Sequence, residues 1–476
     1  MKMIYQRGQE VFRDPKPFSY TIYPKYRKVV CDSCLKMYPD EGILKVCTKC
    51  NLVYYCGRKC QRNAWKSHHK FECEYLENMP SEMDVAFNEA DNLPNKDGVH
   101  EIQMIFLNVL KTTLKLDQNG EEEFFQLPNG KKRYFTDLMS HCDDFVQSLS
   151  ENGMTRLYFV YEQCRLWLGD KAPSYDKKLF NIISIWNTNS HVLLDSEKSD
   201  TKIGTALYLG ASCIDHSCDP NVEVWNNGKE VIIKTTREVA NFSELRMSYL
   251  ERELIMKSSV ERKERLKLRH FFDCKCSRCE DPDSDAKLFS LKCKNCVGWV
   301  HDKTKICTIC NQKLNLTEGE LAIVEKYKNY ALPLDNPAST IKEIESFYKR
   351  YSKLFHPFHG IFGTFCVFVY DYQSMIFTRP GHDDNLFVEM FKVMLDHCKE
   401  HLSEFSNLSG TLNRVIGHAY LYMKAYDQAE IHLKKAEEIM NVILISGHPR
   451  VEIFQSWKSD LIHFKMAQMR LALRRK

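Results

Sequence analysis

The sequence predicts an α+β fold: a β-rich core threaded with metal-binding cysteine sets, followed by an all-helical C-terminal part. Three observations carry this. Val222-Glu-Val-Trp225 and Val231-Ile-Ile-Lys-Thr235 alternate or run apolar around Asn226-Asn227-Gly228, the pattern of a hairpin. Fifteen of the twenty cysteines fall into sets with metal-ligand spacing. From Thr317 to Lys476 the apolar residues recur at helical spacing.

Composition bounds the rest. With 476 residues, 43% of them hydrophobic, the chain has room for about two to four domains, each with a core. A net charge of +4 argues neither for nor against nucleic acid. No charged-then-apolar leader is visible, and the longest apolar run, Ile361 to Tyr370, is far short of the ~20 residues that a bilayer requires. An intracellular protein of cytoplasm and nucleus, without a membrane partner, is expected. Thiols stay reduced there, so the cysteines point to metal rather than disulfides. Cys142, Cys164, Cys213, Cys366 and Cys398 stand apart from the sets and read as small buried hydrophobes.

Taken in order, residues 1–30 read as one or two short strands, Gln9-Glu-Val-Phe12 and Phe18 to Ile22, separated by Asp14-Pro15-Lys16-Pro17. Residues 31–73 hold Cys31-x2-Cys34, Cys47-x2-Cys50, Cys56-x3-Cys60 and His69-x3-Cys73, eight ligands for two four-coordinate zinc ions. His68 competes with His69; the i, i+4 spacing to Cys73 favours His69, since both then leave one helix face. So short a module depends on metal to stay folded. Arg58, Lys59, Arg62, Lys66 and Lys70 make its last helix basic, read as a solvated face, with a DNA or acidic-partner contact as the sharper alternative.

Residues 74–180 are mostly helical, with Ile102, Ile105, Phe106, Val109 and Leu110 at helical spacing, and turn-rich breaks at Asp91 to Gly98 and Asp117 to Lys132. Glu121-Glu122-Glu123 reads as exposed loop charge. Residues 181–250 form the core. It includes Thr205 to Gly210, the turn-forming Asp215-His216-Ser217-Cys218-Asp219-Pro220-Asn221, and the hairpin. Cys218 of the core joins Cys274, Cys276 and Cys279 of 251–280 as a four-thiolate zinc site, and in that second stretch Ser258 and Glu261 form a capping box for a helix from about Ser259 to Arg269. Asp281 to Asp285 reads as an acidic linker. Cys293-x2-Cys296-x10-Cys307-x2-Cys310, in 287–315, has zinc-ribbon spacing and reads as a structural staple. In 317–476, Ile416, Gly417, Tyr420, Ala429, Leu433 and Ala436 follow the small and aromatic spacing of one tetratricopeptide helix pair. Arg474-Arg475-Lys476 reads as a helix C-terminal complement.

The motif Asp215 to Asn221, followed by Tyr249 and then Phe272 ahead of Cys274-x-Cys276-x2-Cys279, resembles the SET and MYND domain (SMYD) family of protein-lysine methyltransferases. The Cys31–Cys73 module, with Tyr54-Tyr55-Cys56 and Gln61 to Trp65, looks like its MYND finger. The resemblance implies a SET core split by the finger, a post-SET zinc knot, a zinc ribbon and a TPR-like C-terminal bundle. In the finger it implies interleaved zinc pairs: Cys31, Cys34, Cys56 and Cys60 on one ion, Cys47, Cys50, His69 and Cys73 on the other.

It further implies methyl transfer from S-adenosylmethionine to lysine on a protein, histone or other. Tyr249 would orient the amine, Asn189, Asp215 and His216 would contact cofactor, and Phe272 would form an apolar wall. Partners implied are lysine-bearing proteins, peptide motifs on the finger, and a partner in the C-terminal bundle. Three departures accompany it. Asp215 stands where the family motif has Asn, and His270 where many members have an aromatic. The family's G-x-G turn belongs ahead of Arg7-Gly8-Gln9-Glu10-Val11-Phe12, where the chain has not yet begun, so it is expected to be missing. A non-catalytic adaptor that keeps the scaffold is the alternative reading.

Overall fold

The computed structural model describes residues 4–38, 40, 42–78, 96–118, 120–175, 177–195, 201–328, 330, 332, 336–377, 384–444 and 449–473. Two three-stranded sheets form the strand-rich part. In the first, strand Glu10–Asp14 pairs antiparallel with Glu230–Thr235, which pairs with Val222–Asn227. In the second, Ser19–Ile22 and Ser190–Leu194 flank Lys202–Leu207. Both sheets thus join residues before the cysteine module to residues long after it. The module is an excursion from a core that closes around it.

The hairpin turns one residue later than its sequence suggests. Asn227 still pairs with Glu230, and Gly228 with Lys229 makes the loop, Gly228 at φ +62°. Side-chain alternation then sorts the strand: Val222 enters the core with Val231, Ile233 and Tyr208, while Trp225 packs on the C-terminal helices with Ile439, Met440 and Ile443.

The described residues of 74–180 are mostly helical, with Lys96–Asp117 packed on both Glu151–Leu168 and Lys177–Asn189. Asp91 to Asn95 lie outside the described residues, and Lys96 to Gly98 open a helix rather than a turn. The stretch read as loop contains a hairpin, Phe124–Gln126 with Lys132–Tyr134. Nor is Glu123 plain exposed charge. It takes ion pairs from Lys115 at 2.5 Å and Lys16 at 3.1 Å, which hold its carboxyl below the ordinary value against the opposing effect of burial.

The expected capping box is present: Ser258 Oγ accepts from the Glu261 amide and the Glu261 carboxylate from the Ser258 amide, opening helix Ser259–His270. The supposed linker Asp281 to Asp285 is instead a cap and first turn of helix Pro282–Leu288. Asp285 reaches back to the Ser259 amide at 2.8 Å, fastening the two helices.

From Glu318 onward the described residues are helical. Asn407–Tyr422 and Tyr426–Ile443 are the closest pair, and Gly417 explains why: a Cβ there would meet Leu433 Cγ at 2.5 Å. Lys234 ties this part to the sheet by donating to the carbonyls of Asn441 (3.1 Å) and Leu444 (2.5 Å), the unsatisfied end of helix Tyr426–Ile443. Arg474 to Lys476 lie outside the described residues. No described helix is long and apolar enough to cross a membrane.

Of the isolated cysteines, Cys164, Cys366 and Cys398 are buried, but Cys142 and Cys213 are half-exposed. Cys366 and Cys398 are not solitary, their sulfurs lying 3.6 Å apart.

Candidate active site and metal centres

Four clusters gather the fifteen spaced cysteines and His69: Cys31, Cys34, Cys56, Cys60; Cys47, Cys50, His69, Cys73; Cys218, Cys274, Cys276, Cys279; and Cys293, Cys296, Cys307, Cys310. Their geometry suits zinc. A tetrahedron with sulfur ~2.3 Å from the metal has edges of ~3.8 Å. The edges here include Cys34–Cys56 and Cys47–Cys73 at 3.8 Å, Cys50 to His69 Nε2 at 3.7 Å, Cys218–Cys279 at 3.5 Å and Cys293–Cys310 at 3.6 Å. A sulfur and imidazole donor set, with no carboxylate, fits the same metal.

Local turns make these clusters. Leu35, Asn51 and Asn311 each follow the first cysteine of a C-x2-C pair by four residues. Each adopts a left-handed φ (+59°, +56°, +55°) and returns its amide to that cysteine's carbonyl. Asn tolerates this conformation and Leu does so at some cost, which closing the metal knuckle offsets.

The choice between the two histidines is decided by a π-helical turn, Trp65–His69, ahead of helix Lys70–Glu77. It directs His69 into the second cluster. His68 turns the other way, to Asp32 Oδ2 at 3.0 Å and the Tyr20 hydroxyl at 3.1 Å.

The third cluster is fused to the candidate active site. Two-residue strands Asp215–His216 and Arg246–Met247 pair in parallel, bringing Tyr249 back over His216. The Tyr249 amide donates to His216 Nδ1 at 3.0 Å, so the proton sits on Nε2, which faces Cys218 Sγ at 3.3 Å. Burial holds the His216 imidazole down at about 4, hence neutral. The Tyr249 hydroxyl donates to Ile214 O at 2.7 Å, and its pKa is raised, first by burial and then by Asp215 and Cys213.

Phe272 and His270 complete a ring of aromatics. Phe272 lies 5.9 Å from His216 and 6.5 Å from Tyr249, and His270 lies 4.9 Å from Tyr249. His270 is likewise lowered to about 4 by burial. The wall is therefore uncharged, apolar on its faces and polar at the Tyr249 hydroxyl. Such a wall can hold an amine or a cation, and it keeps bulk water off.

Two of the expected cofactor residues have other partners or surroundings: Asn189 ends helix Lys177–Asn189, and its Nδ2 donates to Met139 O (2.6 Å) and Ile185 O (2.9 Å). Asn187, two residues earlier, reaches the site's border by donating to Arg269 O at 2.9 Å. Asp215 is exposed, its backbone pinned beside Arg246. One contributor has no sequence signal: Arg133, in the hairpin that read as loop. It reaches Ser212 O at 3.5 Å, and its charge partly offsets the burial that raises the pKa of both Cys213 and Tyr249.

Buried guanidiniums line the third cluster. Arg262, fully buried, donates to Cys279 Sγ at 3.4 Å and to Lys257 O, and Arg278 donates to Cys218 O at 3.1 Å. A zinc tetrathiolate carries two negative charges, and these two cations balance it.

Comparison with known proteins agrees with this architecture. Residues 31–73 match the family model described as MYND finger. The mouse histone-lysine N-methyltransferase SMYD3 is 28% identical over 60% of this chain and 59% of its own length, so the chain spans about three fifths of that relative. The zebrafish N-lysine methyltransferase SMYD2-A is 22% identical over 94% of this chain and 92% of its own. A SET and MYND domain-containing protein of Dictyostelium discoideum is 29% identical over 63% of this chain and 53% of its own. The finger at 31–73, and a likeness to an N-lysine methyltransferase that runs on through nearly the whole chain, support the resemblance to the SET and MYND domain family.

Proposed function

We propose that the chain is an S-adenosylmethionine-dependent protein-lysine methyltransferase whose MYND finger and C-terminal helices recruit protein partners. In this reading the two sheets and the Asp215–Tyr249 segment are a SET core (1–30 and 181–250) interrupted by the finger (31–73) and a helical insert (74–180). A post-SET knot (251–280), a ribbon (287–315) and a TPR-like bundle (317–476) follow. The observation that carries it is the ring of His216, Tyr249, His270 and Phe272, closed by the same zinc cluster that holds Cys218.

The cofactor would supply an electrophilic methyl on a sulfonium. The chain's own residues then have three tasks. The aromatic ring desolvates the incoming lysine and favours its neutral, nucleophilic form, since burial lowers an amine's pKa. Tyr249, its proton committed to Ile214 O, presents lone pairs to the amine's N–H and so fixes the direction of attack. His216, held by the Tyr249 amide, couples the cofactor wall to that tyrosine. Asp215 as an acceptor suits the amino group of the cofactor, and Arg133 the carboxylate end.

The adaptor alternative draws on the same Asp215: a carboxylate lacks the N–H donors of Asn, so a cofactor acceptor that faced it would go without a donor. The test is transfer of labelled methyl from S-adenosylmethionine to histones and a lysine-peptide library. Labelling that Tyr249→Phe abolishes supports catalysis. No labelling by zinc-replete protein on any substrate favours the adaptor.

A further inference from the structure

Where the MYND finger meets the first sheets, four lysines converge on one cavity. It is about 120 Å³ and is walled by Lys16, Lys111, Lys115 and Lys229, with Ser19 and Gln118 as neutral donors. Like charges do not gather in a recess without compensation, and the compensation here is incomplete. Glu123 lies behind the wall and already serves both Lys16 and Lys115. Asp32 faces the far side, where despite its burial its carboxyl is held well below the ordinary range by Lys111, His68 and Lys229. There Lys229 donates to the Asp32 carbonyl at 3.1 Å and to the Tyr20 hydroxyl at 2.5 Å. With Glu123 and Glu72 that makes three carboxylates for four lysines. Only Glu72 stands on the wall itself. It is 3.6 Å from Lys111, longer than a charge-assisted hydrogen bond, and Glu72 Oε2 finds no donor among the described residues.

Lys111 is the informative member. Its side chain is only 8% exposed, and its ammonium carries three donors. The ring of Tyr20 brings the two deepest lysines together, with the Lys229 ammonium 4.0 Å and that of Lys111 5.0 Å from the ring centroid. Ordinary surface lysines would splay into water. These are held pointing inward by the aromatic face and by the packing of helix Lys96–Asp117 against strand Ser19–Ile22.

We infer that this cavity is a binding site for a compact oxyanion, a phosphate or carboxylate group, that clamps the finger to the strand-rich core. It lies apart from the Tyr249 ring and does not depend on methyl transfer. The anion would be met by the ammoniums of Lys111 and Lys229 from within and by Lys16 and Lys115 at the mouth. Its source is either a free small anion or a side chain on a bound peptide.

The experiment titrates inorganic phosphate, and separately a phosphoserine peptide, into the full chain by calorimetry, with Lys111→Met and Lys16→Gln as variants. Lys16 is largely exposed, so its variant keeps the fold even if Lys111→Met does not, and zinc content checks both. Saturable phosphate binding that Lys16→Gln weakens several-fold and Lys111→Met weakens about tenfold or more establishes a free-anion site. Binding of the phosphopeptide alone, with the same dependence, establishes a peptide-borne anion. No saturable binding of either ligand, or binding that is unchanged in both folded variants, overturns the inference.

Discussion

Replacing Arg262 with methionine removes one of two cations that neutralise the third metal cluster. Four thiolates and one Zn2+ sum to −2, and Arg262 with Arg278 restores neutrality in a site where Arg262 is fully buried and Arg278 only 9% exposed. Arg262 also loses its donation to Cys279 Sγ at 3.4 Å and to Lys257 O. Taking away one partner of a buried charge pair costs ~3–5 kcal/mol, because the other charge is left uncompensated. Methionine fills similar space, so the loss is electrostatic rather than a cavity effect. The assay is chelator-driven zinc release followed with a metallochromic dye, together with urea unfolding. Of four zinc ions per chain, one leaves early in Arg262→Met, while the ribbon's zinc, which has no buried arginine against it among the described residues, leaves at the wild-type rate. Unchanged release at all four sites, with stability within ~1 kcal/mol of wild type, would refute the charge-balance argument.

Three further outcomes follow from the same coordinates. His69→Ala reduces the zinc count measured by mass spectrometry from four to three, whereas His68→Ala keeps four and only frees the Asp32 and Tyr20 contacts. Asp14 is buried at 3% exposure and its carboxyl is pushed up to about 6, chiefly by burial. Its folded pKa lies above the ordinary value, so its contribution is fully present at low pH and is lost as pH rises through about 6. Asp14→Asn, which still accepts from the Gly210 amide, therefore gains stability relative to wild type as pH rises from about 4 to about 6, by ~1–3 kcal/mol, and keeps that gain above it, measured as the gap between urea titrations at the two ends. Gly417→Ala forces Leu433 aside and costs ~1–3 kcal/mol, visible as a lower midpoint in the same titrations.

The metal chemistry was legible in the sequence because spacing is local: a C-x2-C pair sets its own turn, and Leu35, Asn51 and Asn311 repeat that turn in three places. The pairing of distant sets rested on resemblance, and the choice of His69 on helical spacing, which here works only because a π-helical turn precedes it. The hairpin Val222–Thr235 was visible from alternation, but its turn slipped by one residue, since both Asn227-Gly228 and Gly228-Lys229 permit a left-handed first position. The strand pairings Glu10–Asp14 with Glu230–Thr235 and Ser19–Ile22 with Lys202–Leu207 span about two hundred residues, a separation that periodicity cannot see. For the same reason Arg133 was missed: its hairpin carries the charged and turn-forming composition of a loop, and only tertiary packing brings it to Tyr249. Asn189 lies next to the strand Ser190–Leu194 by sequence, but periodicity gives no sign that its Nδ2 donates to Ile185 O and Met139 O.

The central claim is that His216, Tyr249 and their aromatic neighbours form a cofactor and lysine site. Calorimetric titration of S-adenosylmethionine into zinc-replete full chain, with His216→Ala beside it, tests this most directly. The account predicts saturable binding in the micromolar range that His216→Ala abolishes while zinc content stays at four. No detectable binding by the folded wild-type chain, or binding that is indifferent to His216, would contradict it.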